Sequence, residues 1–314
     1  MTAKPPAITV RALAKRYESG IGVEDVSFTV APGTVTALVG PAGSGKTTVL
    51  RVLLGLVEPT AGTATVHGAG SVGAVLTPRG LHPGRAAREH LAVYAAAAGV
   101  GRDRVADVLE TVGLSDVARV RAGDLSPGRQ TRLALATALL TDPRVLLLDD
   151  PTDGLDHTER GWLHDFLRRH ARRGGSAVIT GASLAAVVST ADQLVVLSEG
   201  SPVYQGTPAA LRRSNPDRLV VAAGVPVALA TALAARGHTD AVIRPDGRLA
   251  VAEATEAQIR DAARAAGVRI DSIVADPIHP DRVLASLTRP RVRPPAPSTF
   301  VPPPPQPTPY GIPR

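Results

Sequence analysis

The chain has 314 residues, 44% of them hydrophobic and 20% charged, which excludes a wholly disordered protein and leaves room for one large domain and a smaller one. Basic residues outnumber acidic ones 35 to 28, a formal +7 that invites a nucleic-acid or anionic-surface partner, yet only 3% are aromatic and a base-stacking surface has little to be built from. Cysteine is absent, so disulfides, thiolate metal sites and cysteine nucleophiles are excluded.

In chain order, the first residues lack the apolar core of an export signal. β-branched runs predict strands over 8–17 and 23–30, then a turn at Ala31-Pro32-Gly33 and a short apolar strand over 34–39. That strand runs into Gly40, Pro41, Ala42, Gly43, Ser44, Gly45, Lys46, Thr47 and Thr48, and a helix is expected over 45–54. The segment fits G-x-x-x-x-G-K-S/T in the strand–loop–helix context that the motif requires. Its glycines let backbone N–H groups turn inward around phosphates, and the helix N-terminus favours negative charge. Lys46 is placed to reach the β- and γ-phosphates and the Thr47 hydroxyl to ligate Mg²⁺. Of the 35 basic residues only Lys4, Lys15 and Lys46 are lysines, so a lysine kept in this loop is not a generic surface charge. The loop predicts a nucleoside triphosphate ligand.

Helical patterns follow over 85–99, 103–112 and 127–140, and the apolar run 145–148 suits a buried parallel strand. It ends in two carboxylates. Asp149 is positioned to hold Mg²⁺ and Asp150 to orient or deprotonate an attacking water. The next helix, from Asp156, gathers Trp162, Leu163, Phe166 and Leu167 on one face. Near its end Arg168, Arg169, Arg172 and Arg173 complement the helix dipole, a phosphate or lipid site being the alternative. His157, His164 and His170 have no metal-ligand spacing. Strands over 177–180, 194–197 and 203–205 complete an α/β body with a mostly parallel sheet up to about residue 214.

Residues 215–288 read strand–helix–strand–strand–helix–strand, with a hairpin turn at Pro245-Asp246-Gly247, which predicts a small ferredoxin-like α+β domain. The uncharged stretch 219–235 is 17 residues long, contains Gly224 and Pro226, and is too short to span a membrane. From residue 289 onward 11 of 26 residues are proline, the composition of a disordered tail or of a docking segment for a proline-recognising partner. This tail holds Arg289, Arg291, Arg293 and Arg314 and no acid, so it supplies four of the seven net charges. The high charge describes the tail, and a nucleic-acid partner is not expected of the body.

Taken together, these motifs resemble the nucleotide-binding subunit of an ABC transporter, a P-loop NTPase of ABC ATPase type, over about residues 7–213. Leu125-Ser126-Pro127-Gly128-Arg129 stands where that family has its LSGGQ signature, and Gly154-Leu155-Asp156 resembles its D-loop. Tyr17 falls where the family stacks an aromatic ring on adenine; a core tyrosine is the other reading. The resemblance implies ATP and Mg²⁺ as ligands and a homodimer or heterodimer of such domains. ATP would lie between the phosphate loop of one and Ser126 and Gly128 of the other. It also implies a separately encoded membrane-spanning permease and a cytoplasmic, peripheral location. The C-terminal extension resembles that of bacterial drug- or antibiotic-exporter ATPases.

Four positions depart from the family pattern. Asp150 replaces a glutamate, Thr77 stands in place of the Q-loop glutamine, Ala182 in place of the switch histidine, and Pro127 in place of a signature glycine. Arg85, Arg88 and His90 lie beside the Q-loop region, either as a surface helix start or as a contact for the membrane subunit. The expectation is an exporter ATP-binding subunit that turns ATP over slowly. The alternatives are a non-hydrolysing ATP sensor, or a soluble ABC protein acting on nucleic acid or ribosomes.

Overall fold

The computed structural model describes residues 5–18, 20–68, 72–277 and 279–289; most of the proline-rich tail expected from residue 289 lies outside them. β1 (Ile8–Tyr17) and β2 (Gly20–Val30) form a hairpin, and after β3 (Val35–Val39) and α1 (Lys46–Leu53) the strand β4 (Ala61–Val66) returns to β1. The result is an antiparallel sheet in the order β2-β1-β4. β5 (Val72–Val75) precedes the helices α2 (Ala87–Ala97), α3 (Asp103–Thr111) and α4 (Pro127–Leu139). The chain then alternates through β6 (Val145–Leu148), α5 (His157–Arg172), β7 (Ser176–Gly181), α6 (Leu184–Val187) and β8 (Gln193–Ser198), ending in β9 (Ser201–Gly206) and α7 (Pro208–Ser214). The central sheet has the order β5-β6-β7-β3-β8-β9, with only β9 antiparallel to its neighbour.

The apolar runs of the central strands have a simple cause. Alternate residues of one strand enter different cores: Val35, Ala37 and Val39 with Leu146, Leu148, Ala177 and Ile179 pack under the helical layer, whereas Leu38, Val145, Leu147, Val178 and Val195 pack toward α1 and the antiparallel sheet. A strand covered on both faces cannot alternate apolar with polar residues. Leu146, Leu147 and Leu148 are each at most 1% exposed, and burying each such side chain stabilises the fold by roughly 1.5–3 kcal/mol. This buried sheet holds the carboxyl ends of β3, β6 and β7 side by side, where a ligand of an open α/β sheet sits.

Beyond α7 the chain forms β10 (Arg218–Ala223), α8 (Pro226–Ala234), β11 (Ala241–Ile243), β12 (Leu249–Ala252), α9 (Glu256–Ala265) and β13 (Ile270–Asp276). These strands make a second antiparallel sheet in the order β11-β12-β10-β13, with Leu229, Leu233, Ile259 and Ala262 of the helices packed on Val221, Leu249 and Val251. The chain then leaves this sheet. α10 (Pro280–Leu287) buries Val283 and Leu284 in the core under the helical layer of the first body. No helix among the described residues is long and apolar enough to cross a membrane.

Candidate nucleotide site

The phosphate loop joins β3 to α1 and is shaped by close backbone approaches. A Cβ at Gly40 would lie 2.2 Å from the Leu197 carbonyl oxygen, and one at Gly45 would lie 2.4 Å from that of Gly22. Gly43 and Gly45 adopt φ of +78° and +94°, a region that favours glycine. The motif needs its glycines for this path.

Lys46 opens α1 and is 8% exposed. Its Nζ donates to the Gly40 and Pro41 carbonyls at 2.8 Å and to Ser44 Oγ at 3.3 Å, so the loop is wrapped around its own ammonium. Burial pulls the Lys46 pKa down, and the carboxylates of Asp150 and Asp149 oppose that shift. The two carboxylates therefore offset only part of what burial costs the ammonium.

β6 brings Asp149 to the adjoining wall, where it is 5% exposed. The Thr47 hydroxyl lies 3.0 Å from each Asp149 oxygen, and the Thr180 hydroxyl, from the intervening strand β7, donates to Asp149 Oδ1 at 2.8 Å. Thr180 Oγ1 also accepts the Asp150 N–H at 2.8 Å. One threonine thus fixes both carboxylate residues to the strand between them and the loop. Nothing in the motifs named Thr180; the signal was a hydroxyl at the end of a fully buried apolar strand, which must find a partner. A hydroxyl and a carboxylate at one point are the hard oxygen donors that Mg²⁺ takes.

Asp150 has φ +47°, a left-handed conformation that aspartate tolerates better than most residues. Burial raises its pKa, Asp153 adds to the rise, and Lys46 opposes it. The carboxyl is held near the ammonium without a direct bond between them being formed.

Residues 23–153 match the ABC transporter family. Over 222 residues the chain is 37% identical to the Nod factor export ATP-binding protein I of Burkholderia orbicola, covering 66% of this chain and 73% of that protein. Over 203 residues it is 34% identical to the SkfA peptide export ATP-binding protein SkfE of Bacillus subtilis, covering 61% of this chain and 85% of that one. The chain belongs to the ABC transporter family. The likeness is to its export ATP-binding subunits, as the motifs imply. Among solved structures, cbiO1 from Clostridium perfringens, part of an ABC transporter complex, superposes with a TM-score of 0.59 at 23% identity over 68% of this chain and 95% of that one, a likeness of fold. A dimeric ATP-binding cassette bound to ADP and Pi does so with 0.58 at 21% over 64% and 98%.

Within this ABC subunit the signature lies at the start of α4. Ser126 is its N-cap, with Oγ accepting the Arg129 N–H at 3.4 Å, and Pro127 occupies the first helical position, where no N–H is required. Gly128 is covered by the Glu159 side chain of α5: a Cβ at 128 would fall 1.7 Å from Glu159 Oε1. Glu159 also closes the capping box of α5 with Asp156. Arg132, one turn further along α4, lies 4.3 Å from the Trp162 ring centroid.

The substituted positions keep some wiring. The Thr77 hydroxyl donates to the Asp149 carbonyl at 3.3 Å. Ala182 is exposed, and the next residue, Ser183, caps α6. Tyr17 is 38% exposed, which removes the core-tyrosine reading; its ring lies against Gly22, whose carbonyl touches the position of Gly45. Pro41, Ala42 and Gly43 are exposed and Thr48 is partly buried.

One expectation is corrected. His90 is not at a surface helix start: it is 1% exposed, its ring centroid is 4.8 Å from that of Tyr94, and its Nδ1 has no hydrogen-bond partner among the described residues. Burial lowers its pKa, helped by the charges of Arg85 and His82. It lines a groove of about 400 Å³ with Leu54, Leu56, Pro78, Arg79 and Tyr94. Within the basic cluster at the end of α5, Arg168 pairs with Asp192 at 2.7 Å, and Asp192 in turn accepts the Val35 N–H. The remaining basic residues of the last α5 turn, Arg169 and Arg172, complement the helix dipole. Among the described residues no group of histidines and carboxylates could hold a metal on its own.

Proposed function

We propose that the chain binds MgATP at the phosphate loop and serves as the ATP-binding subunit of an exporter, paired with a second nucleotide-binding domain and a separately encoded membrane-spanning permease. The observation that carries this reading is the junction of Thr47 and Asp149, both oxygens at 3.0 Å, beside a buried Lys46. Thr47 and Asp149 would hold Mg²⁺, which when bound neutralises phosphate charge. Lys46 and the loop N–H groups orient the phosphates, and Asp150 positions the water and accepts its proton. Tyr17, on the hairpin beside Gly45, would face adenine, and Ser126 and Gly128 would face the nucleotide of the second domain. The groove beside His90, with Leu56 63% exposed at its rim, suits an apolar helix of the permease. That partner places the subunit on the cytoplasmic face of the membrane. The small sheet after α7 has the strand order of a ferredoxin-like domain, which supports a boundary after residue 214, although α10, within the expected 215–288 unit, packs on the first body.

Turnover is expected to be slow. Asp150 is one methylene shorter than glutamate, and a misplacement of about 1 Å can cost about 10²-fold. A second reading, a non-hydrolysing ATP sensor, is favoured by Ala182, which offers only a methyl group at the switch position. Equilibrium MgATP binding and steady-state ATPase, alone and with the permease, separate the two for wild type, Asp150→Asn and Lys46→Ala. Binding with turnover only in wild type supports the subunit that hydrolyses ATP; binding with three equally inactive proteins supports the sensor. Absence of binding by wild type would overturn both.

A further inference from the structure

α10 ends the described chain, yet hydrogen bonds join its two ends to the segment just after β7 and to the last residue of β8, the strands that flank the phosphate-loop strand. At its start, the Asp281 carboxylate accepts the Ser183 hydroxyl at 3.1 and 3.0 Å and the Ala185 N–H at 3.1 Å. At its end, Ser198 Oγ donates to the Thr288 carbonyl at 3.3 Å. Between these anchors Val283 and Leu284 are 6% and 5% exposed in the main core. Ser183 lies two residues beyond β7, Ser198 is the last residue of β8, and β7 and β8 are the two neighbours of β3.

From each anchor the path to the phosphate loop is short. On the β7 side, the Gly181 carbonyl accepts the Gly40 N–H at 3.2 Å, and Thr180 holds Asp149 and the Asp150 N–H. On the β8 side, the Leu197 carbonyl packs against Gly40 closely enough to exclude a Cβ. α10 therefore spans the two walls that enclose the first glycine of the loop. It is also the segment by which the chain returns from the small four-stranded sheet, which ties that sheet through the chain to these walls. Hydrogen bonds to a carboxylate are roughly twice as strong as neutral ones, which suits a brace.

We propose that Asp281 is a positioning residue for the nucleotide site: through Ser183 and Ala185 it holds the end of β7 against the phosphate loop and lets the C-terminal unit set nucleotide affinity. The affinity part rests on the reading that the loop binds MgATP; the bracing of the loop does not.

The test uses the full chain as wild type, Asp281→Ala, Asp281→Asn, Ser183→Ala and the Asp281→Ala/Ser183→Ala pair. Amide hydrogen exchange over residues 40–46 is read without nucleotide, beside the melting temperature and the MgATP dissociation constant from displacement of a fluorescent analogue. Asp281→Ala is expected to speed exchange over 40–46 and to weaken MgATP binding about three- to tenfold, the range of a modest coupling between sites. Asp281→Asn keeps an acceptor oxygen and should recover part of both effects. Ser183→Ala should reproduce them, and the pair should lose less than the two single changes combined. By reciprocity, MgATP should slow exchange along α10 in wild type.

Wild-type exchange over 40–46 in Asp281→Ala, with only a lower melting temperature, would overturn the proposal and leave Asp281 as an anchor of the C-terminal unit. Failure of wild type to bind MgATP would remove the proposed function instead, and the nucleotide-free exchange would still decide the brace. Should Asp281→Ala not fold, Ser183→Ala, which removes a single hydroxyl, carries the same comparison.

Discussion

On the phosphate-loop wall of the cleft, three oxygens surround a Lys46 Nζ that is almost wholly buried, and a hydroxyl meets both oxygens of Asp149. On the second wall, Thr77 offers one hydroxyl to a backbone carbonyl and Ala182 offers only a methyl group. The first wall is held by its own hydrogen bonds; the second is held mainly through Thr180 and through the contact of Ser183 with α10. The difference separates two properties that a single family name merges. Under the proposed function, holding a triphosphate would need the first wall, whereas sensing and splitting it would need the second.

The largest effect should come from breaking the first wall. Lys46→Ala removes the cation at the loop, and MgATP affinity is expected to fall on the order of 10²-fold, since hydrogen bonds to charged groups contribute about 1.5–3 kcal/mol each. Isothermal titration would measure it, and an affinity within a few-fold of wild type would show that the phosphates are held elsewhere. Next comes the second wall. Asp150→Glu restores the missing methylene and should raise turnover by up to about 10²-fold at nearly unchanged affinity. A fall in turnover would mean that the left-handed backbone at position 150 aims a glutamate away from the water.

A smaller effect sharpens the comparison at the signature. Gly128→Ala would push aside the Glu159 carboxylate that lies over it, so its cost should be that of the α5 capping box, about 1 kcal/mol. In a background of Glu159→Ala the same change should cost almost nothing in urea unfolding. Equal cost in both backgrounds would show that Gly128 is required by the helix start itself and not by its neighbour.

What could be read from the sequence follows the range of the interactions. The phosphate loop, the Asp149–Asp150 pair and every strand and helix of the small sheet are local patterns, and the residues that reveal them are close in sequence. The two-faced strands were legible because burial on both sides leaves an unbroken apolar run. The contacts missed are long-range. Thr180 meets Asp149 from 31 residues away and Asp281 meets Ser183 from 98. His90 carries a polar ring on a helix that opens beside prolines and arginines, which reads as surface until packing of α2 against α4 is known. The return of α10 to the main core had no signal beyond the apolar pair Val283 and Leu284, which the small sheet could equally have claimed.

The smallest expected effect concerns how Asp150 titrates. Burial raises its pKa first and Asp153 second, so the folded protein binds this proton more tightly than the unfolded chain does. For a raised carboxyl the stability contribution is present below the unfolded value and is lost as pH rises through the folded one. As the proposed base, Asp150 must be ionised, so the acid limb of turnover should lie above the ordinary aspartate range. Asp153→Asn removes one of the charges that hold the proton on, while burial remains. The acid limb should therefore move toward lower pH by less than the full displacement, with MgATP affinity unchanged, because Asp153 is exposed and meets Asp150 only through a backbone bond of 3.1 Å. A pH–rate profile of the two proteins reads this directly. An acid limb that stays in place in Asp153→Asn would assign the titration to another group and remove Asp150 from the role of base, leaving the second wall without one.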